Sequence, residues 1–377
     1  MRIMIVGAGI GGTILANRLA RLLAPELQRG EVDVVVLSAS RTHLYQPGLL
    51  HLALGQTTVE ALHRDPRTLL DPRVALLIDE VLAFAPDSKQ VRGTSGNAYS
   101  YDWLVIATGS RVTPEEVPGL AEHAHGFYTE AAALRLARAL QNFDGGRVVV
   151  TTGVPHKCPM APLEMTFLLH DLFVRRGIAP RVDLLYTYPI GRLHSIEAVA
   201  EWARVEFARR GIRSATYFNI ASVDGATRTL HSEEGLSVDY DLLIAIPPHR
   251  GAEAIERSGL GPRGWVPTHR RLLTMQGRDD VFVLGDTTNL PVSKAGSTAR
   301  FQAEVIAANL ASRVRGGGDT HGYDGKVLCF IETSRDRATY AAFNYAEPPH
   351  PRAPSRAIHM AKTFYHRLYW SSLRGFP

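Results

Sequence analysis

Apolar and polar positions alternate along the chain in blocks that predict its elements. RIMIV (2–6) is an apolar run, Gly7-Ala8-Gly9 follows, and apolar residues then recur at helical spacing over about 10–24 before a second run, VDVVVLS (32–38). That order predicts strand, tight turn, helix and strand, the βαβ unit of a dinucleotide-binding fold. KQVRGTSGNAYSYDWLVIATG (89–109) predicts a hairpin turning near Ser95-Gly96-Asn97. A second α/β segment spans 110–225, with strands at 147–151 and 182–186 and helices at 162–176 and 196–211. Then the early pattern returns: 226–246 is again hairpin-like, and YDLLIA (240–245) echoes YDWLVIA (101–107). VFVLGD (281–286) predicts a strand, 293–314 a helix, Gly316 to Gly318 a loop and LCFIET (328–333) another strand.

After a proline-rich connector at 346–356, Ile358, Ala361, Phe364, Tyr365, Leu368 and Ser372 recur at helical spacing. Lys362, His366, Arg367 and Arg374 are interspersed among them. Aromatic and basic residues on a short amphipathic helix suit a bilayer surface or a second subunit. The expected architecture is α/β: two related Rossmann-like halves and a small C-terminal segment facing a membrane. The expected boundaries are 1–109 with 226–316 for the first unit, 110–225 for the second and 317–377 for the last.

Composition narrows the function. A chain of 377 residues can hold two to three cores, and a net charge of +5 with acids and bases intermixed gives no nucleic-acid footprint. The first strand begins at once, which leaves no space for a secretion signal and implies the cytoplasmic side. No apolar run approaches the ~18–20 residues of a membrane span, so membrane contact is expected to be peripheral. Two cysteines, Cys158 and Cys329, are too few for a disulfide framework or a metal site of the usual kind, so no metal is expected. A redox pair is compatible with them.

Gly7, Gly9 and Gly12 form GxGxxG between the first strand and helix. Glycine there allows the tight turn and brings backbone close to a pyrophosphate at the helix N-terminus. The acidic residue that usually ends the second strand is replaced by Ser38, which leaves the ribose to that hydroxyl, to Arg41 or to backbone. ATGS (107–110) and VFVLGDTTN (281–289) resemble the paired motifs of the pyridine nucleotide–disulfide oxidoreductase superfamily. That resemblance implies FAD contacted at Thr108, Gly109, Gly285 and Asp286, the aspartate holding the ribityl chain.

In such a fold the turn after the strand at 147–151 should grip NAD(P)H. Here it reads VPHKCPMAPLE (154–164), and Pro155, Pro159 and Pro162 have no N–H to offer a pyrophosphate. Cys158 stands before a helix and beside His156 and Lys157, a setting that favours a thiolate. With Cys158, Glu164 and a second cysteine in VLCFIET, the chain resembles the sulfide:quinone oxidoreductases and the related flavocytochrome c sulfide dehydrogenases. The resemblance implies that a Cys158–Cys329 pair is opened by sulfide to a persulfide and a thiolate, and that electrons pass through FAD to a quinone. It gives Glu164 a proton to carry and places Lys294, in PVSKAGS, near the flavin. Phe330, Phe343 and Tyr345 are candidate walls of a quinone pocket. The third cysteine of many relatives, implicated there in sulfur handling or covalent flavin attachment, has no counterpart here, so noncovalent FAD is expected.

Three rivals stand beside this reading: a type II NADH:quinone oxidoreductase, a sulfide:cytochrome c flavoprotein subunit, and a noncatalytic redox-sensing flavoprotein. The sulfur acceptor, the quinone and assembly into a homo-oligomer are left open.

Overall fold

A computed structural model describes residues 1–375. The first half runs β1 (Arg2–Val6), α1 (Ile10–Leu22), α2 (Ala24–Gln28) and β2 (Asp33–Ser38). It continues through the short pair β3 (His43–Leu44) and β4 (His63–Arg64), which flanks α3 (Gly48–Ala53), to β5 (Ala75–Ile78). An antiparallel ribbon, β6 (Val81–Ala85), β7 (Gln90–Gly93) and β8 (Ala98–Ser100), then feeds β9 (Trp103–Ile106). The predicted hairpin thus ends at Ser100, and the last part of its run is a parallel strand of the main sheet.

The linking strand β10 (Arg111–Val112) and helices α4 (Leu120–His123) and α5 (Glu130–Gln141) lead into the second half. There β11 (Gly146–Thr152), α6 (Ala161–Arg175), β12 (Val182–Thr187), α7 (Glu197–Arg210) and β13 (Arg213–Ala215) repeat the pattern. A second ribbon, β14 (Ile220–Asp224), β15 (Thr229–Ser232) and β16 (Ser237–Asp239), feeds β17 (Leu242–Ile246). β18 (His249–Arg250) pairs back with β10, α8 (Glu253–Arg257) follows, and β19 (Val281–Val283) and α9 (Gly296–Val314) rejoin the first half. The chain closes with the hairpin β20 (Val327–Ser334) and β21 (Arg337–Phe343) and the helices α10 (Arg356–Arg367) and α11 (Tyr369–Leu373).

Two parallel sheets result, ordered β19-β9-β1-β2-β5 and β13-β12-β11-β17. Their central strands are buried apolar runs, as parallel strands covered on both faces must be. The Tyr-Asp echo has a physical cause. Asp102 accepts the Arg2 N–H at 2.6 Å and Asp241 accepts the Arg147 N–H at 2.7 Å, so each aspartate ties the start of a central strand to its neighbour. This corrects the expected boundary at 225/226. Residues 226–246 belong to the second half, because the ribbon β14–β16 delivers β17 into its sheet beside β11.

Candidate functional site

At the end of β1, Gly7 adopts φ +115°, and a Cβ on it would lie 2.3 Å from the Ala107 carbonyl oxygen. A Cβ on Gly12 would lie 1.9 Å from the Gly7 oxygen, so strand and helix meet only without side chains. Gly9 is different: nothing stands within 4 Å of the position its Cβ would take. The turn therefore presents an open face at the N-terminus of α1, the shape and polarity a pyrophosphate requires. Ser38 ends β2 buried, its hydroxyl donating to the Ser40 carbonyl at 2.9 Å, and Arg41 lies on the surface beyond.

The ATG and GD motifs come together beside this turn. Thr108 and Thr287 share a hydroxyl–hydroxyl hydrogen bond of 2.6 Å, and Thr287 also donates to the Gly109 carbonyl at 3.1 Å. Ser110 donates to the Asp286 carboxylate at 3.0 Å, and the Gly285 N–H is held by Gln302 at 2.7 Å. Lys294 donates to the carbonyls of Asp286 and Thr288 at 2.8 and 2.6 Å, with its ammonium 4.2 Å from the centre of the Trp265 ring. Burial pushes the Lys294 pKa down to about 8 against the pull of Asp286. Open glycine face, helix terminus and a carboxylate at the far end form a donor and acceptor set that fits a flavin dinucleotide.

The proline-rich loop is anchored from several sides. Cys158 takes a left-handed backbone (φ +50°), and its N–H donates to the Lys294 carbonyl at 2.9 Å. Tyr128 donates to the Lys157 carbonyl at 3.1 Å, Lys157 reaches Gln46 at 2.7 Å, and the His249 N–H donates to the Pro155 carbonyl at 2.7 Å. Cys158 packs on the same core as Cys329, which faces inward from β20 between Val327 and Ile331. Both thiols are free.

The surroundings of Cys158 work against the expected thiolate. Burial, then the Glu164 charge, pushes the Cys158 thiol up to about 11 despite the Ala161 N–H and Lys157. His156 supplies no compensating charge, because burial lowers its pKa to about 4 and leaves it neutral. Cys329 is raised as well, by burial first and then by Cys158.

Glu164 sits buried on α6 and accepts the Glu332 N–H at 3.0 Å. It also pairs with the ammonium of Lys362, which is itself buried and lies 3.2 Å from the Glu332 carboxylate. Burial opposes that ammonium, but the two carboxylates outweigh it and hold its pKa above the ordinary lysine value. Glu332 in turn faces His51 at 3.4 Å and His359 at 3.5 Å, both partly exposed. Sequence reasoning missed Glu332, His51 and His359, and it read Lys362 as a base on an interfacial helix where the structure buries it. A signal was present: residues 359, 362 and 366 recur at 3 and 4, a polar stripe on one helical face.

The three candidate pocket aromatics are not brought together. In the β20–β21 register Phe330 opposes Tyr340 and Val327 opposes Phe343, so Phe330 and Phe343 lie on opposite faces of the hairpin. Tyr345 turns away, 5.8 Å from the Tyr323 ring and 4.0 Å from the Arg270 guanidinium. Phe330 instead meets Tyr365 of α10 at 6.1 Å and Tyr340 at 6.5 Å. On α10, Met360 and Phe364 point outward at 69% and 63% exposure, whereas Lys362 points in.

Known proteins share this fold. The sequence profile of the pyridine nucleotide-disulphide oxidoreductase family matches residues 1–306. The mitochondrial sulfide:quinone oxidoreductase of Mus musculus is 25% identical over 398 residues, covering 99% of this chain and 86% of that protein. An NADH dehydrogenase-like protein of Mycobacterium tuberculosis is 32% identical over 253 residues, covering 63% of this chain and 60% of that one. The solved structure of the sulfide:quinone oxidoreductase from Aquifex aeolicus matches with a TM-score of 0.88 at 20% identity, covering 99% of this chain and 91% of that one.

Proposed function

Because the chain belongs to the pyridine nucleotide-disulphide oxidoreductase family, we propose that it is a flavin-dependent sulfide:quinone oxidoreductase. In this reading Cys158 and Cys329 handle the sulfur and FAD is held noncovalently. The observation that carries it is the cysteine loop itself. Where a nicotinamide would be gripped, the loop offers prolines, and its Cys158 hangs from Lys294 at the cofactor's end of the site.

When bound, FAD would supply a two-electron acceptor. The oxidised pair is a disulfide; hydrosulfide attacks one sulfur, forming a persulfide there and releasing the other cysteine as a thiolate. A buried thiol raised to about 11 needs somewhere to lodge its proton. Glu164 is the charge that weighs most on Cys158, and from it Lys362 and Glu332 lead to His51 and His359, which touch solvent. Glu164 and this relay carry protons between the thiols and the surface. Lys294 keeps a cation at the cofactor, where negative charge develops on reduction.

The quinone would lie against Phe330, Tyr340 and Tyr365, on the hairpin face that also carries Glu332. Met360 and Phe364 suit insertion at a bilayer surface, and no helix among the described residues is long and apolar enough to cross one. The test is anaerobic reduction of the yellow protein by sulfide or by NADH, with Cys158→Ser and Cys329→Ser alongside. Bleaching by sulfide alone, lost in both variants and reversed by a soluble quinone, is expected. Bleaching by NADH in all three proteins would overturn the proposal in favour of an NADH:quinone oxidoreductase.

A further inference from the structure

His43 lies in β3, fully within the protein, and both its ring nitrogens are engaged. Nδ1 is 2.9 Å from the carbonyl oxygen of Ala8, the residue between Gly7 and Gly9, and Nε2 is 2.7 Å from the hydroxyl of Tyr369 in α11. A carbonyl can only accept, so Nδ1 carries the proton; Nε2 is then a bare lone pair and Tyr369 donates to it. Thr13 adds a second donor to the Ala8 oxygen at 3.1 Å.

The peptide between Ala8 and Gly9 is planar and trans, so its C=O and N–H point in opposite directions. Holding the Ala8 oxygen on the protein side turns the Gly9 N–H toward the open face of the glycine turn, where nothing stands within 4 Å of the Gly9 Cβ position. Orientation of that donor thus depends on His43, and the orientation of His43 depends on Tyr369. α11 is seated on the cofactor helix by two further contacts. Asn17 of α1, itself buried, donates to the Leu373 carbonyl at 2.7 Å, and Arg21 donates to the Arg374 carbonyl at 2.8 Å.

We propose that Tyr369 and His43 are positioning residues for FAD, through which the C-terminal helix sets how tightly the glycine turn holds the cofactor's pyrophosphate. The inference rests on flavin binding at that turn and is independent of the electron donor and acceptor. Tyr369→Phe keeps the ring that packs 4.2 Å from Tyr45 and removes only the hydroxyl.

The experiment follows FAD release from the holoprotein by recovery of flavin fluorescence on dilution, with FAD titration of the deflavinated protein and thermal melts of both forms. Tyr369→Phe should release FAD about threefold to tenfold faster, the weight of one hydrogen bond. His43→Leu should lose more, because the Ala8 carbonyl then also loses its donor. The double variant should be no worse than His43→Leu, and the FAD-induced rise in Tm should shrink beyond whatever the lost buried hydrogen bonds take from the apoprotein Tm. Release by Tyr369→Phe within twofold of wild type, or effects of the two substitutions that simply add, overturns the inference. A wild-type protein that takes up no FAD would overturn the flavin reading itself, whereas FAD binding unchanged by Tyr369→Phe overturns this inference alone.

Discussion

The backbone N–H of Cys158 donates to the carbonyl of Lys294 at 2.9 Å, and the side chain of Lys294 reaches back to the Asp286 carbonyl at 2.8 Å. One residue therefore joins the cysteine loop of the second half to the loop of Gly285 and Asp286 in the first. The placements of the Cys158 thiol and of the Lys294 ammonium are set together.

Lys294→Met should keep the backbone link and lose the cation, slowing sulfide-driven flavin reduction by roughly a hundredfold, the usual cost of one oriented charge donor. Stability reports the same group. In the unfolded chain the ammonium persists to near the ordinary lysine value of 10.5, whereas in the folded protein it deprotonates near 8. Between those values the unfolded state binds the extra proton, so stability rises with pH across that window. Denaturant unfolding at pH 8 to 10.5 should show this rise in wild type and a flatter curve in Lys294→Met; equal curves would refute the burial argument.

The Cys158 thiol, held up to about 11, should alkylate slowly at neutral pH. In Cys329→Ser, which isolates Cys158, the rate of carbamidomethylation should keep climbing with pH well beyond the ordinary thiol range. Glu164→Gln should move the midpoint down, because the carboxylate is the largest charge opposing the thiolate. A midpoint near an ordinary thiol value would return the loop to the activated-thiolate setting that its position before a helix suggested.

Two glycine substitutions separate folding from cofactor binding. Gly12→Ala places a Cβ 1.9 Å from the Gly7 oxygen and should leave little folded protein. Gly9→Ala meets nothing within 4 Å, so the protein should fold with an apoprotein Tm near wild type and yet bind little FAD. A yellow Gly9→Ala protein of normal flavin content would move the pyrophosphate elsewhere.

What was legible in the sequence is what short stretches determine. The glycine turn, the ATG and GD loops, the proline-rich cysteine loop and the long central elements β1, α1, β2, β11, α6, β12, α7, β19 and α9 follow from local spacing, whereas α3, α5 and the short linking strands were not read; the Tyr-Asp echo carried the relation between the halves. What escaped depends on distant residues meeting. Glu164 and Lys362 are 198 positions apart, and burial reverses the ordinary meaning of a lysine on an amphipathic helix. Phe330 and Phe343 read alike as strand aromatics, but the pairing of β20 with β21 puts them on opposite faces. His43 gave no local sign at all, because its partners come from residues 8 and 369.

The buried triad should be costly to break one member at a time. Lys362→Met leaves the Glu164 and Glu332 carboxylates in the interior without their ammonium, and a loss of roughly 3 kcal/mol is expected in urea unfolding. Glu164→Gln combined with Lys362→Met should recover part of that loss, since one of the two stranded like charges is then removed. Additive losses in the double variant would mean that the two residues act separately.

Met360 and Phe364 give the most direct handle on where the protein works. Both lie one turn apart on the outer face of α10, at 69% and 63% exposure, so replacing them removes little packing. Met360→Glu and Phe364→Glu should leave Tm and the sulfide reduction of the flavin within error of wild type. Binding to vesicles should fall steeply, because each variant loses apolar area at the interface and gains a charge that must stay in water. Turnover with a water-soluble quinone should therefore persist, while turnover with a long-tailed quinone embedded in vesicles drops. If both substrates suffer equally, α10 packs against protein rather than lipid, and its outward apolar face belongs to a second subunit.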